Sequence, residues 1–555
     1  MSLQFITGNS GNGKTKYLFN RIVKEAKANP RDNYLVIVPE QFTMQTQRQL
    51  VDLSENKAIM NIDVLSFKRL AYRVFDELGI TNLTVLEETG KNLVLRKLAA
   101  QEADKLGVIG RNLNRIGYIS EVKSLLSELV QYNISPEELG RYIASGRLSD
   151  TLSDKLKDVL VLYEAFEKFM QDKYITAEEI LNVLSNVAEE AAILRNSVIA
   201  FDEFTGFTPI QNQLIKKLFV ISKKIYVTLT IDCREDIFKS RGMQELFDMP
   251  KRTVKSLTEM AAFYGIEVEE PIILDKNYRL AENEELSFME QQLFRKRRCS
   301  FKKEPKHIHI DCLRDPKQEL TKIARRINEL VRNENLRYRD IAIVTGDVNI
   351  YAGYVREIFD KYNIPYFIDA TQEILFHPFI EFIRSIPDIA AQNFSADAVF
   401  RFLRCGFTEL SASEIDVLEN YVLACGVRGK SAWDKKWVRL PKHKAGYDLE
   451  LLNQSREYIM ELLKPVYQVF SDKKSTVKDY VLAIYKLIVL LDIPDKLAKK
   501  EQALLDAGDQ TASKEYGQIY KIVMQLFEKY VAVLGDECMD AEEFTQILDA
   551  GLDAA

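Results

Sequence analysis

The sequence predicts an α/β protein in which parallel-sheet domains are interrupted by large helical insertions. Three observations carry that reading. A short apolar run, Leu3 to Ile6, enters a glycine-rich turn and then an amphipathic helix, the strand–loop–helix order from which parallel sheets are built. A second apolar run, Val198 to Phe201, shows no polar alternation, as expected of a strand buried on both faces. Between them, residues 85–185 read as mostly helical.

The turn is TGNSGNGKT, residues 7–15. Gly8, Gly13, Lys14 and Thr15 fit G-x-x-x-x-G-K-[ST] without mismatch, and Asn9, Ser10, Gly11 and Asn12 fill the positions between. Glycines let backbone N–H groups curl around phosphates, and the helix N-terminus adds partial positive charge. Leu18, Ile22 and Ala26, with Phe19 and Val23 beside them, give the helix over Thr15–Ala26 its apolar stripe. Lys14 is expected at the β and γ phosphates of ATP and Thr15 at Mg²⁺. Hydrolysis needs more than a loop: a carboxylate for the metal and a group for the attacking water. Asp202 and Glu203 follow the second strand, at the strand end where open α/β sheets bind ligands. Asp202 is expected to hold Mg²⁺ through water, and Glu203 to act as the base.

Loop and carboxylates lie about 190 residues apart, so a domain is inserted between them. Its helices include one with Leu125, Leu126, Leu129 and Val130 on one face, closed by a break at Ser135-Pro136. Further on, strand 307–311, helix 318–332 and strand 340–346 alternate as in a second parallel sheet. After residue 380 helical periodicity dominates, as in IMELLKPVYQVF. Residues 294–307 hold seven Lys/Arg, among them Arg297 and Arg298, and two phenylalanines, a composition suited to phosphates and stacked bases as well as to a solvated linker. Phe67, Lys68 and Arg69 form a second DNA candidate, with a core position for Phe67 as the alternative.

The composition, 46% hydrophobic and 28% charged in 555 residues, is that of a globular protein of three or four units. The start, MSLQFITG, has no signal-peptide pattern, and the longest apolar runs fall short of the ~20 residues of a membrane span; a cytoplasmic protein with no membrane partner is expected. Six scattered cysteines without CxxC spacing argue against a zinc or disulfide framework. A net charge of −6 leaves room for a local basic groove.

Several stretches resemble a known family. FDEFTGFTPIQNQLI is similar to the DE-x-x-D-x-x-x-x-Q segment of UvrD-type superfamily 1 helicases, and LDKNYRL to their NYR motif, whose arginine reaches the γ-phosphate; here that is Arg279. Residues 338–369 resemble the start of their second motor domain. VPEQFTMQTQRQL, VLSFKRLAYRVF and the loop, in this order, are similar to the AddB family of AddAB helicase–nucleases along essentially the whole chain. The resemblance implies P-loop NTPase (RecA-like) domains in a UvrD-like architecture. Domain 1A would take residues 1–84 and 190–290, a helical insertion 1B 85–189, the first part of 2A 305–385 and an insertion 2B 386–555. It implies an AddA-type partner, single- and double-stranded DNA as ligands, and work in double-strand-break repair by recombination. It further implies a C-terminal nuclease domain with metal-binding carboxylates and a cysteine-held iron–sulfur cluster, neither of which is found in this sequence. Two departures stand out: TIDCREDIF replaces the GDxxQ segment and lacks its glutamine, and Thr205 stands where many motors have glutamine. Two other readings stay open: a non-hydrolysing DNA-binding scaffold with a structural or regulatory nucleotide site, and a P-loop ATPase unrelated to DNA.

Overall fold

Strands are concentrated in the first half of the chain. The computed structural model describes residues 1–81, 85–108, 118–146, 148–170, 174–295, 299–369, 374–440, 447–472 and 474–553. Its strands are β1 (Ser2–Gly8), β2 (Tyr34–Ile37), β3 (Ile62–Leu65), β4 (Val85–Leu86), β5 (Ile175–Thr176), β6 (Val198–Phe201), β7 (Lys224–Thr230), β8 (Glu267–Val268) and β9 (Ile272–Leu274). Seven form one sheet in the order β3-β2-β6-β7-β1-β8, with β9 also on β1, and every pairing is parallel. The protein is thus α/β, as its sequence predicts.

The uninterrupted apolar runs have a direct cause. Side chains alternate across a strand, and here both faces are covered. Leu35, Ile37, Ile199, Phe201, Ile225 and Val227 enter one core, against helices Phe67–Leu78, Ile180–Val187, Pro209–Ile221 and Asp248–Phe263. Tyr34, Val36, Val198, Ala200 and Tyr226 enter the other, against helices Lys14–Ala28 and Thr43–Leu53. Each large apolar side chain so buried contributes about 1.5–3 kcal/mol.

Local signals set the helix starts. Pro136 opens its helix with Ser135 as N-cap, which is the break read from Ser135-Pro136. Thr208 and Gln211 form a reciprocal capping box for Pro209–Ile221, so the glutamine of FDEFTGFTPIQ is occupied in capping the start of a helix.

Two compact units result: Met1–Lys276 with Ile374–Ala555, and Asn277–Glu373. These do not coincide with the boundaries expected at 290, 305 and 385. The larger unit joins the two stretches expected as separate insertions, and helix Glu88–Gln101 shows why. Leu93, Val94 and Leu95 are consecutive and all buried, Leu93 among the C-terminal helices and the other two in the insertion's own core. Three consecutive residues point around most of a helical turn, so burying all three requires cover on more than one side. Polar contacts border it: Arg96 donates to Gln546 at 2.9 Å, Lys97 pairs with Glu537 at 2.6 Å, and Lys529 pairs with Glu87.

The smaller unit contradicts part of the sequence reading. Helix Pro316–Asn333 forms where 318–332 predicts it, followed by Val348–Lys361. The expected strands 307–311 and 340–346 do not form: among the described residues no ladder includes them, and Ile310 and Val344 are 94% and 92% exposed. A strand is completed by a neighbour, which a helix does not need. Among the described residues, no helix is long and apolar enough to cross a membrane.

Candidate phosphate and metal site

The glycine-rich turn leaves β1 in the interior of the sheet and opens helix Lys14–Ala28. Gly13, the N-cap, has φ 79° and Gly11 has φ 87°, conformations that L side chains adopt at a cost. Gly8 is required for a different reason: a Cβ there would stand 2.5 Å from the carbonyl oxygen of Leu274 in β9. The side chains of the turn tie it down. Asn9, 4% exposed, accepts from the Cys233 N–H at 2.9 Å, and Asn12, 2% exposed, donates to Leu274 O at 2.6 Å. Ser10 is exposed. The Lys14 ammonium lies across the turn, donating to the carbonyls of Gly8 and Asn9 at 3.1 and 3.0 Å.

The carboxylates meet the turn. Thr15 Oγ1 lies 3.3 Å from Asp202 Oδ1 and 3.2 Å from Glu203 Oε1. Residues read as partners across 187 and 188 positions are therefore brought together. Asp202 is 1% exposed, and its Oδ1 also accepts from Thr228 of β7. Its Oδ2 is buried without a hydrogen-bond partner. Burial pushes the Asp202 carboxyl up to about 6; hydrogen bonds from Thr228 and Thr15 pull it down, and the Glu203 charge raises it further. A buried acceptor left open beside a hydroxyl is what a hard divalent cation uses, so the donor set fits Mg²⁺. Glu203 has φ 64°, a left-handed conformation that an ordinary residue holds only where its surroundings impose it.

One contribution goes beyond the sequence reading, and another fills in the TIDCREDIF segment that it singled out. Thr228 reads as one position of an apolar run, though a hydroxyl in a buried strand must find a partner. Beyond β7, Asp232 is 1% exposed and paired in two bonds with Arg234, Nε to Oδ1 at 2.8 Å and Nη2 to Oδ2 at 2.6 Å. Glu235, three residues after Asp232 and so at the place of the missing glutamine, is tied to Lys251 at 2.6 Å.

Arg279 is exposed and belongs to the smaller unit. Phe67 is 7% exposed, its ring 5.8 Å from Phe201 and 5.6 Å from Phe204, so the core position holds and its face is not on offer to a base. Lys68 and Arg69 are exposed, Arg69 lying 3.8 Å from Glu40. Arg297 and Arg298 lie outside the described residues. Phe294 is 80% exposed, and Phe301 packs on Phe288 at 5.3 Å.

Fold and site together define a class: an α/β protein with a parallel sheet and a glycine-rich turn at a helix N-terminus, facing a carboxylate pair. Residues 5–290 match the family described as "ADDB, N-terminal", and the chain belongs to that family. It is 38% identical to the B-type subunit of an ATP-dependent helicase/deoxyribonuclease of Lachnoclostridium phytofermentans, over 99% of this chain and 49% of that one. Proteins of the same description from Caldanaerobacter subterraneus subsp. tengcongensis and Clostridium acetobutylicum are each 32% identical, over 100% of this chain and 48% of theirs. The chain spans about half the length of the curated relatives it matches.

Proposed function

We propose that this chain is the ATP- and DNA-binding, motor-like part of one subunit of a helicase–exonuclease complex, working with an AddA-type partner in DNA double-strand-break repair by recombination. The observation that carries the nucleotide reading is the meeting of Thr15 with Asp202 and Glu203 at the mouth of the glycine-rich turn. In this reading the parallel-sheet region of the larger unit is a RecA-like domain with a UvrD-like helical insertion. The backbone N–H groups of residues 8–13 wrap the phosphates. Lys14 exchanges its two carbonyl partners for phosphate oxygens. Thr15 and Asp202 hold Mg²⁺, which neutralises charge on the terminal phosphates when bound. Glu203 accepts the proton of the attacking water. Lys68, Arg69 and the basic 294–307 stretch offer phosphate contacts to single- and double-stranded DNA.

One observation favours a second reading, a DNA-binding scaffold whose nucleotide is structural or regulatory. The carboxylate of Glu235 stands where related motors carry glutamine, and Lys251 engages it. Steady-state ATPase with and without single-stranded DNA, beside Glu203→Gln and Lys14→Ala, separates the two. Turnover that rises with DNA and vanishes in Glu203→Gln supports the motor. Binding without turnover supports the scaffold. ATP affinity unchanged in Lys14→Ala removes the nucleotide site from both.

A further inference from the structure

Residues 434–440, DKKWVRL, follow the short helix Lys430–Trp433 and form neither helix nor strand. Their backbone is held from the core all the same. The Trp437 N–H donates to Asn453 Oδ1 at 2.8 Å, and Asn453 Nδ2 donates back to Trp437 O at 2.9 Å. Arg456 donates through Nη1 to Trp433 O at 2.9 Å and through Nε to Asn453 Oδ1 at 3.2 Å. The Tyr421 hydroxyl donates to Arg439 O at 2.7 Å. Asn453 and Arg456 sit on helix Leu449–Ser471, and each is 5% exposed. Burying an amide and a guanidinium is costly without hydrogen bonds, and here those bonds fix the path of an irregular loop. A solvated linker needs no such support.

The loop so fixed presents cations. Trp433 and Trp437 are buried, the second stacked on Tyr421 at 5.1 Å. Lys435, Lys436, Val438 and Arg439 are exposed. Asp434, the one acid of the loop, is engaged by Lys430 at 2.5 Å. Among the described residues, Lys435, Lys436 and Arg439 take part in no ion pair. Four residue steps span at most ~14 Å, and one strand of a duplex carries a charge every ~3.4 Å of its axis, so neighbouring phosphates of one strand can meet all three. In a chain of net charge −6, three uncompensated cations on one fixed loop favour a polyanion.

Which nucleic acid they suit follows from the rings. Single strands are held largely by bases stacked on exposed aromatic faces, and this loop turns both of its rings inward. A duplex, with the higher charge density and its bases enclosed, is held through its phosphates. We propose that loop 434–440 is a docking surface for the phosphate backbone of double-stranded DNA, contacted by Lys435, Lys436 and Arg439 without regard to base sequence. The inference rests on the reading of the chain as DNA-binding, and adds a surface to the cations named there. Asn453 and Arg456 are positioning residues, acting through the loop backbone.

The test is equilibrium binding of the 555-residue chain, without nucleotide, to a blunt duplex and to a single strand of equal length over a range of KCl concentrations. The variant combines Lys435→Gln, Lys436→Gln and Arg439→Gln, all at exposed positions, so the fold is kept. It should lose about tenfold or more in duplex affinity at low salt, and its plot of log affinity against log salt should be shallower by about two to three. Single-strand affinity should stay within about twofold. A second variant keeps the charges as Lys435→Arg, Lys436→Arg and Arg439→Lys, and should bind duplex within about threefold of the parent. Duplex affinity and salt slope unchanged in the glutamine variant overturn the proposal. So does an equal loss for single strand and duplex, an equal loss for polyglutamate, which would mark a general anion surface, or an equal loss in the charge-keeping variant. A parent that binds neither form of DNA overturns the DNA-binding reading itself, and the inference with it.

Discussion

Val198–Phe201 and 340–346 are both short, largely apolar runs that the sequence places beside helices, yet they fold differently. The first is β6, bonded in register to β2 on one side and β7 on the other, with every residue buried. The second, among the described residues, lies in no ladder, with Val344 92% exposed. A helix closes its own hydrogen bonds, so Pro316–Asn333 forms from local pattern and a well-placed Asp315 cap. A strand's backbone groups are satisfied only by another strand, and a short apolar run does not say where its partner is.

The largest test of that contrast is amide hydrogen exchange of the whole chain. Exchange from β1, β6 and β7 should require opening of the sheet and be slowed by several orders of magnitude. Amides of 308–311 and 342–345 should exchange near the rate of free peptide. Protection of 342–345 matching that of β7 would break the comparison, because those residues would then lie in a ladder.

What is legible in the sequence follows the same division. The turn, its helix, β6 and the Asp202–Glu203 pair can be read because each is a local pattern with a chemical reason. That Thr15 meets both carboxylates is inferable from the two motifs together. Asp232 reads as the aspartate kept from the GDxxQ segment, but Thr228 does not read as a site residue, since it matters only through β7 lying between β6 and β1, and strand order is not written in any one stretch. Phe67 misleads in the other direction: beside two cations it reads as a stacking platform, while the helix face it shares with Leu70, Ala71 and Val74 puts it in the core.

The ordered side of the comparison also carries the unfavourable features, which only a well-supported sheet edge can hold. Asp202 is a carboxyl pushed up to about 6 by burial. The unfolded chain ionises near the ordinary carboxyl range and the folded chain later. The contribution of this group to stability is therefore full below about pH 4 and is lost as pH climbs through about 6. Asp202→Asn removes the buried charge. It should raise stability by about 1–3 kcal/mol at pH 8 in urea unfolding and leave it unchanged below about pH 4, while weakening Mg²⁺-dependent nucleotide binding. Parallel stability curves across the whole range would show that this carboxyl is not strained.

The smallest effect isolates backbone strain at the next residue. Glu203 holds φ 64°, where a Cβ is crowded and glycine is not. Replacing it with alanine removes the charge beside Asp202 but keeps the Cβ; replacing it with glycine removes both. Glycine also gains freedom in the unfolded chain, which offsets part of the relief. Glu203→Gly should therefore be more stable than Glu203→Ala by about 1 kcal/mol or less, although glycine is the poorer residue at almost any other position. Both variants should lack DNA-stimulated turnover if the parent has it. Alanine equal to or better than glycine would mean that Glu203 is not held in the left-handed region. The sheet edge would then carry its strain in the buried charge of Asp202 alone.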